Sequence, residues 1–127
     1  MTGWSILAAV LLAAAVMLGA FGAHGLRGRL DAYAMGVYEK AVFYHFVHAL
    51  GLLAVSLLPR LGLVENSPAT WVCGLLAAGV LLFSGSLYLL AVTGVRLLGA
   101  VTPVGGVAFI AGWLLLAWRL AAATPRP

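Results

Sequence analysis

Charge is what this sequence has least of. Seven of its 127 residues are lysine or arginine and three are aspartate or glutamate, so 8% are charged, against about 25% in an ordinary soluble domain. So few ions cannot solvate the surface of a globule this size, which excludes a soluble fold. Acids are scarcer still. Asp31, Glu39 and Glu65 all fall between the apolar runs, so the spans hold no acidic pair and no Ser-His-Asp set, and catalysis is not expected. The one cysteine, Cys73, permits no intramolecular disulfide and reads as a small apolar residue. The net charge of +4 is spread over loops and ends without a basic cluster. It suits anchoring at a membrane edge and does not suit nucleic acid as a partner. "TPVGG" at 102–106 and "FGAHGL" at 21–26 carry glycines suited to tight helix ends. They lack the strand and the G-x-G-x-x-G pattern of a nucleotide loop, and no cofactor is implied.

What the chain does have is long apolar runs. Hydrophobic residues make up 65% of it, with a mean hydropathy of +1.14. Uncharged runs occupy 1–26, 41–59, 66–95 and 97–118. A bilayer core of about 30 Å needs roughly 20 helical residues, which each run supplies or nearly supplies. The runs are uniformly apolar, without the alternation of a β-barrel strand. The expected fold is all-α, an integral membrane bundle of four transmembrane helices over 1–127, with spans at about 4–23, 41–58, 70–92 and 103–120. No basic stretch precedes the first run, so a cleaved leader is not expected. Four spans put both termini on one side of the bilayer. That side carries Arg60, Arg119 and Arg126 and the other Arg27, Arg29, Lys40 and Arg96, a bias too small to set orientation.

Punctuation residues place the elements. Asp31 suits a helix N-cap, starting a helix that lies partly at the interface and runs on into the second span. Thr102 followed by Pro103 reads as an N-cap with proline at the first helical position. Small residues spaced by four, Ala15, Gly19 and Ala23 or Ala108 and Gly112, form ridges that let helices approach closely in lipid. A weak 2+2 internal repeat places "LLAAAVML" (Leu11 to Leu18) on "LLAAGVLL" (Leu75 to Leu82), matching six of eight positions. Such a repeat implies a parallel two-fold axis along the membrane normal.

The polar residues concentrate in "EKAVFYHFVHAL", Glu39 to Leu50. At 100° per residue with Tyr38 at zero, His45 lies at about 340°, His48 at about 280°, Tyr44 at about 240° and Lys40 at about 200°. These five share one arc, and Glu39 points away. Polar groups within a span face the bundle interior or a cavity, so the arc marks the inward face of span two. In "FSGSLYLL", Ser84 and Tyr88 share one face of span three while Ser86 and Thr93 share the opposite one. Serine hydroxyls in such helices usually bond back to the preceding turn.

Three readings of the His/Tyr/Ser face stand together. The side chains hydrogen-bond across helices and hold the bundle in register. Alternatively, His24, Tyr44, His45, His48, Ser84, Ser86 and Tyr88 line a polar cavity for a small ligand, ion or lipid. In a third reading His24, converging with His45 and His48, makes a metal or haem site, because imidazole is a common ligand. Beyond the lipid bilayer, the small-residue faces suit a homo-oligomer or an accessory subunit of a larger membrane complex.

Taken as a set, "FGAHGL", "YHFVHAL", "FSGSLYLL", "TPVGG" and "GW" (Gly112, Trp113), in this order and spacing, resemble the YgdD-like family of small membrane proteins. That family occurs in bacteria, with a related animal transmembrane protein. The resemblance covers nearly the whole chain. It implies a polytopic protein, in bacteria in the cytoplasmic membrane, with no reaction, substrate or cofactor attached. It marks His24, His48, Ser84, Gly85, Ser86, Tyr88, Thr102 and Pro103 as motif positions without giving any a role.

Overall fold

The fold is drawn from a computed structural model, which describes residues 1–123. Helix α1 covers Thr2–Phe21 and closes in a π-helical turn at Gly22–Leu26. Its leucines and alanines are strong helix formers with no proline among them. Helix α2, Ala32–Leu57, starts where the Asp31 carboxylate accepts the Ala34 N–H at 2.7 Å, the capping bond that its sequence invites. Pro59 ends it in a 3₁₀ turn, Leu58–Leu61. Helix α3, Asn66–Gly79, passes through a second π-helical turn, Val80–Ser84, into α4, Gly85–Thr93. A 3₁₀ turn at Arg96–Ala100 leads to α5, Thr102–Ala122. Among the described residues there is no strand.

These elements make four helices long and apolar enough to cross a bilayer: Thr2–Leu26, Ala32–Leu61, Asn66–Thr93 and Arg96–Ala122. The protein is an integral membrane bundle of four helices. Each helix runs past the expected limits of its span, and α2 continues without a break from Ala32 to Leu57. Spans two and three form the inner pair, with 39% of their most apolar stretch buried, against 17% for spans one and four. Span one packs on span two and span four on span three, while spans one and four hardly touch. A parallel two-fold relating span one to three and two to four would turn the contact of two with three into one of four with one. The packing therefore does not follow the axis that the internal repeat suggests.

The main core lies in the half nearer the termini, where Leu52, Val55, Val72, Cys73, Leu76 and Phe109 are buried. At the same end Ser5 and Ser56 share a hydrogen bond of 2.8 Å, Arg60 donates to the Thr2 hydroxyl at 2.9 Å, and Arg119 lies 3.5 Å from Glu65. The start of span one, the loop between spans two and three and the end of span four thus share one face. Trp4, Trp71 and Trp118 stand close to that face, the last two largely exposed, as an interfacial aromatic belt does. Arg126 lies outside the described residues.

Three local expectations change. The "TPVGG" glycines do not serve a helix end. A Cβ on Gly105 would stand 2.3 Å from the Phe83 backbone nitrogen, and one on Gly79 would meet the Phe109 ring at 2.3 Å, so these glycines let spans three and four touch backbone to ring and backbone to backbone. Of the small-residue ridges, Ala15 and Gly112 are buried but Ala23 is exposed, because the chain there has reached the π-helical turn. The cap expected of Thr102 is absent: Val101 precedes α5 without a side-chain cap, and the Thr102 hydroxyl bonds instead to Ser86 at 2.6 Å.

Candidate functional site

Tyr38, Ala41, His45, His48, Ala49, Leu52, Val55 and Ser56 are the buried residues of α2. Their spacing of three and four makes one stripe on the helix. Lys40 is exposed, as is Glu39. The inward arc is narrower than the sequence suggested: it reaches Tyr44 at its edge, and Lys40, a further 40° or so round, falls outside it and is exposed.

One side of the stripe meets spans one and three through hydrogen bonds. The Tyr38 hydroxyl donates to the Leu18 carbonyl of span one. His45 Nδ1 and the Tyr88 hydroxyl are 2.9 Å apart, and the Tyr38 and Tyr88 rings meet edge-on at 5.3 Å between centroids. Ser84 donates to the Ala41 carbonyl at 2.8 Å. That carbonyl has a second lone pair beyond its helical bond. His45 is 3% exposed, and its Nε2 is buried without a hydrogen-bond partner among the described residues.

The other side meets spans three and four through rings. His48 Nδ1 donates to the Tyr44 carbonyl of its own preceding turn at 2.8 Å, which fixes the ring's orientation. The imidazole then stacks on Phe109 with centroids 3.5 Å apart and planes 15° from parallel. Trp113 flanks it at 5.9 Å, and Tyr44 packs on Phe83 at 4.4 Å. Ser86 donates back to the Phe83 carbonyl at 2.9 Å and also reaches Thr102 across the helix boundary.

The structure therefore brings together six of the seven candidates, in two groups. His45, Ser84 and Tyr88 form the hydrogen-bonded group. Tyr44 and His48 belong to the aromatic one, with Ser86 beside it. His24 joins neither, because it sits exposed on the π-helical turn closing span one. The proposed metal set of His24, His45 and His48 does not assemble. Among the described residues no three His, Cys, Asp or Glu side chains come close enough to share an ion. Ser84 also departs from the usual back-bonding, reaching a neighbouring helix instead. The sequence reading missed Phe83 and Phe109, which look like ordinary lipid-facing residues. Their only signal is the glycine facing each across the interface, Gly105 and Gly79.

Comparison with known proteins bears on the whole of this region. A family described as "Protein of unknown function (DUF423)" matches residues 18–106, a stretch that contains the hydrogen-bonded group and, of the aromatic one, Tyr44, His48 and Phe83 but not Phe109 or Trp113. A UPF0382 membrane protein of Staphylococcus saprophyticus is 49% identical over 111 residues, covering 87% of this chain and 90% of that protein. Another from Staphylococcus haemolyticus is 50% identical over 111 residues, with 87% and 88% covered. The UPF0382 membrane protein YwdK of Bacillus subtilis is 48% identical over 113 residues, with 87% and 89% covered. No solved structure matches. A membrane bundle of four helices, matched over most of its length to a family of uncharacterised function and to membrane proteins of nearly its own size, belongs to the DUF423 family.

Proposed function

We propose that this protein is a non-catalytic membrane protein whose interior polar face is a packing seam that sets the register of its helices. The YgdD-like resemblance, with its placement in a bacterial cytoplasmic membrane, belongs to the same reading. One observation carries it: the hydroxyls of Tyr38, Ser84, Ser86 and Tyr88 and the Nδ1 atoms of His45 and His48 bond within the chain, and the main cavities lie elsewhere, none lined by His45, His48, Ser84 or Tyr88. Among the described residues no cluster of three His, Cys, Asp or Glu side chains accompanies these groups. In lipid, interhelical bonds of this kind fix which faces meet, while small residues and rings supply the contact. The outer faces of spans one and four are then the surfaces that meet lipid and any partner helix.

A second reading rests on His45 Nε2. A buried imidazole nitrogen without a partner costs free energy, and a small polar solute bonded to it would remove that cost. Thermal unfolding in mild detergent separates the two readings. If the seam is structural, His45→Leu and Tyr88→Phe both lower the melting temperature, and no metal ion, haem or small solute raises that of the wild type. A solute or metal that stabilises the wild type but not His45→Leu would sink the packing reading.

A further inference from the structure

On the face opposite the termini, a cavity of about 730 Å³ opens between the start of span two and the end of span three. Its outer lining is polar, with Arg29, Asp31, Thr93 and Arg96; its deeper lining is apolar, with Val37 and Leu90. Two loops bring the arginines to it, each through a glycine in the left-handed region. Gly28 has φ 88° within a turn whose Arg29 and Leu30 amides bond back to the Leu26 carbonyl. Gly94 has φ 71° and donates to the Leu90 carbonyl at 2.9 Å. Residues with side chains adopt this backbone at a cost, so both turns are built for the direction in which they send the chain.

Neither arginine has a carboxylate partner among the described residues. Among the described residues the one ion pair is Arg119 with Glu65, on the opposite face. Asp31, the acid in the lining, uses Oδ1 to cap α2. The cavity therefore carries two guanidinium groups against one carboxylate. Its depth is also set. From Trp71 in the aromatic belt to Thr93 is about 33 Å of helix at 1.5 Å per residue, close to the thickness of a bilayer core of about 30 Å. The arginines thus stand at the level of the opposite headgroups, with an apolar wall running from them into the membrane.

We propose that this cavity binds the phosphodiester headgroup of an anionic phospholipid, with Arg29 and Arg96 holding its phosphate oxygens and an acyl chain lying along Val37 and Leu90. Guanidinium forks match phosphate geometry. The apolar wall is what an amphiphile needs and a free phosphate ion does not. The site is independent of the seam and stands or falls separately from the packing reading.

The test is a lipid titration of the full chain in mild neutral detergent, read by native mass spectrometry. The probes are phosphatidylglycerol, phosphatidylcholine and inorganic phosphate. Wild type should retain phosphatidylglycerol, and phosphatidylcholine should bind several-fold more weakly because it brings no net charge. The double variant Arg29→Gln/Arg96→Gln should bind phosphatidylglycerol at least about tenfold more weakly, while Arg60→Gln, on the other face, binds as wild type does. Both arginines are exposed, so the lipid-free melting temperature should not move. If it falls, Arg96→Lys, which keeps the charge but loses the fork, should still weaken binding measurably. Equal affinity in the wild type, the double variant and Arg96→Lys overturns the proposal. So does equal retention of the two lipids. Displacement of the lipid by millimolar inorganic phosphate would make this a site for a soluble anion and would also overturn it.

Discussion

His45 and His48 sit one turn apart on the same helix, both buried, and they are held by different physics. His45 is fastened by a hydrogen bond to Tyr88 in span three, with Tyr38 and Ser84 making like bonds to carbonyls of spans one and two. His48 spends its Nδ1 proton within its own helix and meets span four through the face of Phe109. The first region specifies: a hydroxyl finds one carbonyl or one ring nitrogen, and a slip in register breaks the bond. The second region binds: rings and glycines bring two helices into close contact over a large area. In a bilayer, where lipid tails compete for apolar surface, interhelical hydrogen bonds contribute on average only about 0.6 kcal/mol. A large-to-small change at a buried ring costs several times that. The aromatic side should therefore hold most of the stability and the hydrogen-bonded side most of the specificity.

This contrast can be broken by substitution, with melting in mild detergent as the measurement. Phe109→Ala removes the ring beneath His48 and should lower stability by about 3–5 kcal/mol; a loss no larger than that of Tyr88→Phe would refute the division of labour. Gly105→Ala drives a methyl into the Phe83 backbone, which cannot rotate away, and should cost about 1–3 kcal/mol. Gly19→Ala offers a comparison. Its Cβ would meet Val42 at 3.5 Å, an ordinary contact, so near-neutral behaviour is expected. His48→Leu should lower the melting temperature clearly and His24→Leu should not, since one ring is stacked and the other exposed; equal effects would undo the assignment of His48 to the core. Tyr88→Phe should show the smallest stability change of the seam variants, about 0.6 kcal/mol. Its signature should instead appear in the ring-nitrogen chemical shifts of His45, and unchanged shifts would remove that hydrogen bond from the account.

Much of this was legible in the sequence, for reasons that explain what was not. The four spans follow from apolar runs whose length is fixed by the bilayer, and the Asp31 cap follows from local chemistry. The inward stripe of α2 follows from helical periodicity, which gave Tyr38, His45 and His48 a common side. Periodicity gives a direction but no neighbour. It could not tell that Ser84 would bond to Ala41 and not to its own turn, or that Thr102 would face Ser86 in place of capping α5. It could not tell that His24, despite lying on the correct side of the membrane, would stay apart from the other histidines. Lys40 fell outside its expected arc because the width of a buried stripe depends on how many helices surround it. The glycines were visible but their use was not: Gly79 and Gly105 matter through rings and backbone on another span. Nor do Arg29 and Arg96 stand out in the sequence, being far apart along the chain and brought to one cavity by two turns.

The π-helical turn at Val80–Ser84 has a consequence for the chain's tolerance of length change. One residue beyond the α-helical count advances everything after it by about 100° around the helix axis. Below that turn, span three shows Val72, Cys73 and Leu76 to the core; at its end and above it, Ser84 and Tyr88 point at span two and Ser86 at span four. The turn works as a fixed gear offset between two stretches of the same rod. Removing a single residue there would restore a regular helix and leave every residue chemically suitable, yet the upper stretch would be turned by more than a quarter revolution. The tyrosine would miss its histidine, and the serines would swap neighbours for lipid. In this protein, residue count inside one helix is as much a part of the interface as residue type.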